Sequence, residues 1–156
     1  MTPADMATAR EIPVEQLLPH RPPFLFVSRL VLCEPGHAVA EARIDPSWLW
    51  GARAGTVPRA LMIEILAQTV GAATAYEAMI ENRERESGLL VAARRFSFSK
   101  DVTASELLES ETWEGRMMKP FGSARGIVRC RGEIVAQGEL QFISLNPDGG
   151  ITERQG

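Results

Sequence analysis

From Val57 to Ile80 the chain is apolar almost without a break, and its centre reads Ala60-Leu61-Met62-Ile63-Glu64-Ile65-Leu66-Ala67-Gln68-Thr69-Val70-Gly71-Ala72-Ala73. Pro58 suits the first turn of a helix, so a helix is expected to begin at Thr56-Val57-Pro58 and run to about Asn82. Most helices need one covered face, but this one is apolar nearly all round and needs protein on most sides. Small residues at Ala67, Gly71, Ala72, Ala73 and Ala75 let neighbouring elements approach its backbone. The stretch from Leu61 to Ile80 has nearly the length of a membrane span, about 20 residues. Glu64, Gln68 and Glu77 interrupt it, however, and much of its bulk is Ala, Gly and Thr, which gain little from lipid. A protein-wrapped helix is expected, with no membrane span.

The rest of the chain supplies strands for that wrapping. Phe24 to Leu32 is rich in apolar and β-forming residues and stops at Glu34-Pro35-Gly36. Ala38 to Ile44 alternates with a period of two, as a half-exposed strand does. After the polar stretch from Asn82 to Gly88, strands are expected at 89–100, 107–118, 123–131 and 134–145, with a hairpin turn at Arg131-Gly132-Glu133. Two strands, one long helix and four strands with short connections make an α+β class, with mostly antiparallel pairing. Residues 12–145 are expected to form one domain, 1–11 a loose arm carrying into a helical turn at Val14–Leu18, and 146–156 a mobile tail.

The chain has 156 residues, 45% of them hydrophobic, enough for one domain with a real core. Its net charge of -3 lacks the basic excess of a nucleic-acid binder, so no nucleic-acid partner is expected. The first ten residues have no apolar core like that of a signal peptide, and a cytoplasmic location is expected. Cys33 and Cys130 stand far apart in strand-like segments, without disulfide or zinc spacing, and read as reduced core thiols. No His/Cys/Asp cluster has ligand spacing, so neither a metal nor a cofactor is expected.

Glu64 is the residue the pattern does not explain. Burying an ionised carboxylate without a partner is costly, and desolvation raises its pKa, so its place in this helix points to acid–base chemistry. The alternative is a buried Glu held by an Arg or a backbone amide. Gln68 lies four residues on, on the same helical face, where its amide either orients Glu64 or a water, or makes an ordinary structural hydrogen bond. His37, after Pro35-Gly36, reads as a solvated loop residue.

Leu17-Leu18-Pro19-His20-Arg21-Pro22-Pro23-Phe24-Leu25-Phe26-Val27-Ser28-Arg29 resembles the opening segment of the hot-dog-fold 3-hydroxyacyl-acyl-carrier-protein dehydratases of fatty-acid, polyketide and aryl-polyene pathways. Val57-Pro58-Arg59-Ala60-Leu61-Met62-Ile63-Glu64-Ile65-Leu66-Ala67-Gln68 is similar to that family's helix segment, and Phe98-Ser99-Lys100-Asp101-Val102 is weakly similar to a third motif. The resemblance spans about Leu17 to Leu145 and implies a curved antiparallel sheet of about six strands around one long buried helix. It also implies elimination of water from a 3-hydroxyacyl thioester, with Glu64 as the acid. The family's catalytic His, however, falls ungapped on Trp50, within Leu49-Trp50-Gly51-Ala52-Arg53, and indole cannot accept a proton. The Gly that opens the family's helix is Arg59, where a backbone N–H could still polarise a thioester carbonyl.

His20 is the substitute base this sequence offers, and fixing the Pro-rich turn is its other reading. Trp50 either marks a rebuilt substrate site or packs the helix entrance. Arg94, Arg95, Lys100, Arg125, Arg129 and Arg131 form either a basic patch for an acidic carrier or scattered surface charge. The expected catalytic pair is therefore Glu64 and His20, with Gln68, Arg59 and Trp50 binding substrate. The expected partners are an acyl carrier protein or coenzyme A thioester, together with a second copy or a related chain in a pseudo-symmetric heterodimer. A non-catalytic acyl-binding subunit and a thioesterase are the rival readings.

Overall fold

In the computed structural model of this chain, residues 9–50, 55–103 and 106–151 are described. Of the expected arm (1–11) residues 9–11 are described and of the expected tail (146–156) residues 146–151, while Gly51, Ala52 and Arg53 of the segment carrying Trp50 lie outside the described residues. A short helix α1 (Val14–Leu17) precedes strands β1 (Arg29–Glu34) and β2 (His37–Arg43). A 3-10 turn at Pro46–Trp48 then leads to the long helix α2 (Arg59–Ile80). Strands β3 (Ser87–Phe98), β4 (Leu107–Met118), β5 (Phe121–Cys130) and β6 (Glu133–Leu145) follow. The six strands form one sheet in the order β1-β2-β4-β5-β6-β3, every neighbouring pair antiparallel. The sheet packs against α2, which is the α+β hot-dog architecture.

Alternation decides which side chains meet the helix. On β2, Ala38, Ala40 and Ala42 are buried and point inward, and their small size lets α2 come close. Leu108, Ser110 and Thr112 on β4 do the same. The helix answers with Met62, Ile65, Leu66, Ala72 and Tyr76. One polar pair is built into this core: the Thr69 hydroxyl lies 2.7 Å from that of Ser110 and donates to the Ile65 carbonyl at 2.8 Å. Every hydroxyl in the pair is therefore satisfied, as burial demands.

Two glycines matter to the fold. The turn between β5 and β6 places Arg131 and Gly132 both at positive φ, 50° and 79°, the backbone of a type I′ hairpin that matches the twist of the strands. Gly126 on β5 faces Leu66, and a Cβ there would lie 2.6 Å from Leu66 Cδ2. Leu66 is fully buried and has nowhere to move, so Gly126→Ala should cost about 1–3 kcal/mol by overpacking. Thermal unfolding of that variant should show a clearly lowered midpoint. An unchanged midpoint would mean that helix and sheet are less closely packed than described.

The strand expected at 24–32 forms only from Arg29: Ser28 already donates its N–H to the Glu41 carbonyl of β2, but Phe24, Phe26 and Val27 bond through their backbone to the Gln68 side chain of α2. His37 is not a solvated loop residue either. It opens β2, its ring stacks on Trp113, and Nε2 lies 2.8 Å from Glu111. Burial pushes the Glu111 carboxyl up, but hydrogen bonds from Arg129 and His37 outweigh it and leave the group below the usual carboxylate range.

At one edge of the sheet, β3 pairs with β6 on a single side and exposes three consecutive aliphatic residues, Leu89, Leu90 and Val91, of which Leu89 keeps 54% of its surface in solvent.

Candidate active site

Gln68 organises the site. It is 2% exposed, and all four of its amide positions are used. Its oxygen accepts from the backbone N–H of Phe26 at 2.9 Å and of Val27 at 3.3 Å. Its nitrogen donates to the Phe24 carbonyl at 2.8 Å and to Glu64 Oε1 at 3.1 Å. A side chain one turn along α2 from Glu64 thus fastens the family-like opening segment to the helix, and places His20 beside the carboxyl. His20 Nε2 lies 3.7 Å from Glu64 Oε1, within ion-pair reach and just beyond the length of a direct hydrogen bond. His20 Nδ1 is buried and has no partner among the described residues.

These three residues line a cavity of about 880 Å³ that continues along α2 past Gly71 and Thr74 to Glu77. Glu64 is not enclosed as the sequence led us to expect, for its side chain is 39% exposed. The helix is covered on most of its circumference, but Ala60, Gly71 and Thr74 mark a side that a single chain leaves open, and Glu64 stands on that side.

Glu77 and Glu114 line the same cavity, and neither was among the expected site residues. Glu77 had a signal in the sequence, as the second carboxylate interrupting the apolar stretch. Desolvation, reinforced by Glu114 and Glu81, raises the Glu77 pKa above its ordinary 4.5. The ionised form therefore costs folding free energy, and that cost appears as pH rises from about 4.5 through the raised value. Glu77→Gln should match the wild type in thermal stability at pH 4 and exceed it increasingly toward neutrality. A stability difference independent of pH would contradict this. Beside Glu77, burial holds the Cys33 thiol protonated, its pKa pushed up to about 12. Cys33 and Cys130 are both free and buried.

Arg59 and Trp50 are not among the residues lining this cavity. The Arg59 guanidinium turns to Asp101, at 3.4 Å, and lies over the Phe98 ring. Trp50 is 67% exposed, and its backbone N–H donates to the Trp48 carbonyl. The suggested basic patch is largely neutralised. Arg129 pairs with Glu109 and Glu111, Arg131 with Glu106, Lys100 with Glu133 and Arg95 with Glu139, while Arg125 lies over Trp113. Among the described residues no group has the makings of a metal site, and no helix is long and apolar enough to cross a membrane.

A carboxyl and an imidazole 3.7 Å apart on the wall of a long cavity can give and take a proton from one bound molecule. The model of the ApeP-like family, described as ApeP dehydratase, matches residues 12–149. The 3-hydroxyacyl-acyl-carrier-protein dehydratase FabZ of Roseiflexus sp. (strain RS-1) is 32% identical over an alignment of 149 residues that covers 92% of this chain and 100% of that one. In structure, the chain is similar to one from the dehydratase heterocomplex ApeI:P of Xenorhabdus doucetiae. The TM-score is 0.79 with 20% identity, covering 88% of this chain and 94% of that one. A hypothetical thioesterase with coenzyme A from Streptococcus pneumoniae TIGR4 shares the fold at a TM-score of 0.61 and 11% identity, covering 82% and 88% of the two chains.

Proposed function

This chain belongs to the ApeP-like dehydratase family, and from that premise we propose that it is one subunit of a two-chain dehydratase acting on a 3-hydroxyacyl thioester. In the reaction, a base removes the C2 proton, the C3–O bond breaks, and Glu64 gives its proton to the departing hydroxyl, which leaves as water. The electron pair of the C2–H bond becomes the C2=C3 double bond of a 2-enoyl thioester. The proton on the base then returns to Glu64 and resets the site.

The observation that carries this reading is the asymmetry of the site. The acid side is intact, with Glu64 held by Gln68 at 3.1 Å, while the position matching the family's base is Trp50, whose ring cannot take a proton. A related chain bearing the missing His completes such a site, and the ApeI:P assembly, whose fold this chain shares, is by name a dehydratase heterocomplex. Residues 12–145 form the functional unit in this proposal. The acyl group arrives on a carrier protein or on coenzyme A.

A second reading has one observation in its favour: His20 stands 3.7 Å from Glu64 within the same chain and could serve as the base without a partner. One experiment separates the two. The purified chain, alone and mixed with a His-bearing relative, is given 3-hydroxydecanoyl carrier protein, and the products are followed by mass spectrometry. Enoyl product only in the mixture supports the subunit, whereas product from the chain alone, lost in His20→Ala, supports the self-contained enzyme. Release of free thiol without enoyl product identifies a thioesterase and overturns both.

A further inference from the structure

The geometry points to Gln68 as the positioning residue that decides which oxygen of Glu64 carries the catalytic proton. The role rests on the dehydratase reading above, but the structural statement beneath it stands on hydrogen bonds alone.

An amide side chain can be turned over by half a rotation, and here only one orientation is possible. Two backbone N–H groups, from Phe26 and Val27, converge on the Gln68 oxygen. Reversing the amide would set its N–H groups against those donors and its oxygen against the Phe24 carbonyl and the Glu64 carboxyl. The nitrogen must therefore face Glu64, and Gln68 is too buried for water to relieve the opposite arrangement.

The consequence falls on Glu64. Oε1 accepts from Gln68, and because a carbonyl oxygen is the better acceptor this bond favours the neutral acid with Oε1 as the carbonyl oxygen and the proton on Oε2. His20 Nε2 approaches the same Oε1, and among the described residues no hydrogen bond reaches Oε2. Gln68 thus leaves a single O–H free to be given to a leaving hydroxyl. It does so from a clamp whose other three bonds hold the segment that carries His20.

A neutron structure of the perdeuterated chain, from crystals kept in acid, reads the proton directly. The expected map places a deuteron on Oε2 and an amide deuteron of Gln68 pointing at Oε1. A deuteron on Oε1, or a Gln68 oxygen facing Glu64, overturns the proposal. The kinetic arm uses Gln68→Glu in the two-chain complex, since that side chain keeps an acceptor for both backbone N–H groups. With 3-hydroxydecanoyl carrier protein, kcat should fall roughly 100-fold with KM within about twofold, as expected when an oriented proton donor is lost. An unchanged kcat overturns the positioning role. If the wild-type complex forms no enoyl product, the dehydratase reading fails and the neutron map still decides the proton's place. If the variant does not fold, the wild-type map decides alone.

Discussion

Glu64→Gln in the two-chain complex should reduce enoyl formation by about 10²–10⁴-fold while KM changes little, because the substitution removes a proton donor and almost nothing else. The replacement has nearly the same shape, and its amide oxygen can still accept from Gln68, which donates to Glu64 at 3.1 Å in the native chain. Glu64 is 39% exposed, so its charge contributes little to the fold and the thermal midpoint should stay close to that of the wild type. Stopped-time assays of 2-enoyl product, with circular dichroism on the same samples, check both halves of the expectation. Turnover within threefold of the wild type would remove Glu64 from the chemistry. The reading of the whole cavity as a reaction site would go with it.

Gln68→Leu should be the most destabilising single change near the site. It leaves the N–H groups of Phe26 and Val27 without their acceptor in a place where these residues are 4% and 1% exposed. Each buried donor left unpaired costs about 1–3 kcal/mol, while the Phe24 carbonyl belongs to a residue open enough to find water. A loss on the order of 3–5 kcal/mol is expected, with a fall in the unfolding midpoint of roughly 10 °C or more. Hydrogen exchange should show residues 24–27 opening first, since their attachment to α2 is what is cut. A destabilisation below about 1 kcal/mol would mean that the clamp is decorative.

Gln68 also shows how far the sequence could be read. Its spacing from Glu64 put both on one helical face, and the hydrogen bond at 3.1 Å follows from that spacing. Its three other bonds reach residues more than forty positions away, which periodicity cannot see. For the same reason 24–27 read as strand: its residues favour extended backbone, and nothing local says that its partner is a side chain. The hairpin at Arg131-Gly132 was legible because two residues decide it. The neutralised arginines were not, because Arg129 meets Glu109 and Glu111 only through the pairing of β4 with β5. Glu64 was placed too deep, since an apolar sequence reports how much of a helix must be covered and not where the last uncovered side lies.

The bare edge of β3 has a practical side. A twelve-residue strand paired on one side only, with Leu89, Leu90 and Val91 in water, is a template for adhesion, and concentrated solutions of the isolated polypeptide should turn cloudy. Whoever purifies it will do better producing it alongside a companion that caps that rim, and the yield of clear protein will then report on the capping itself.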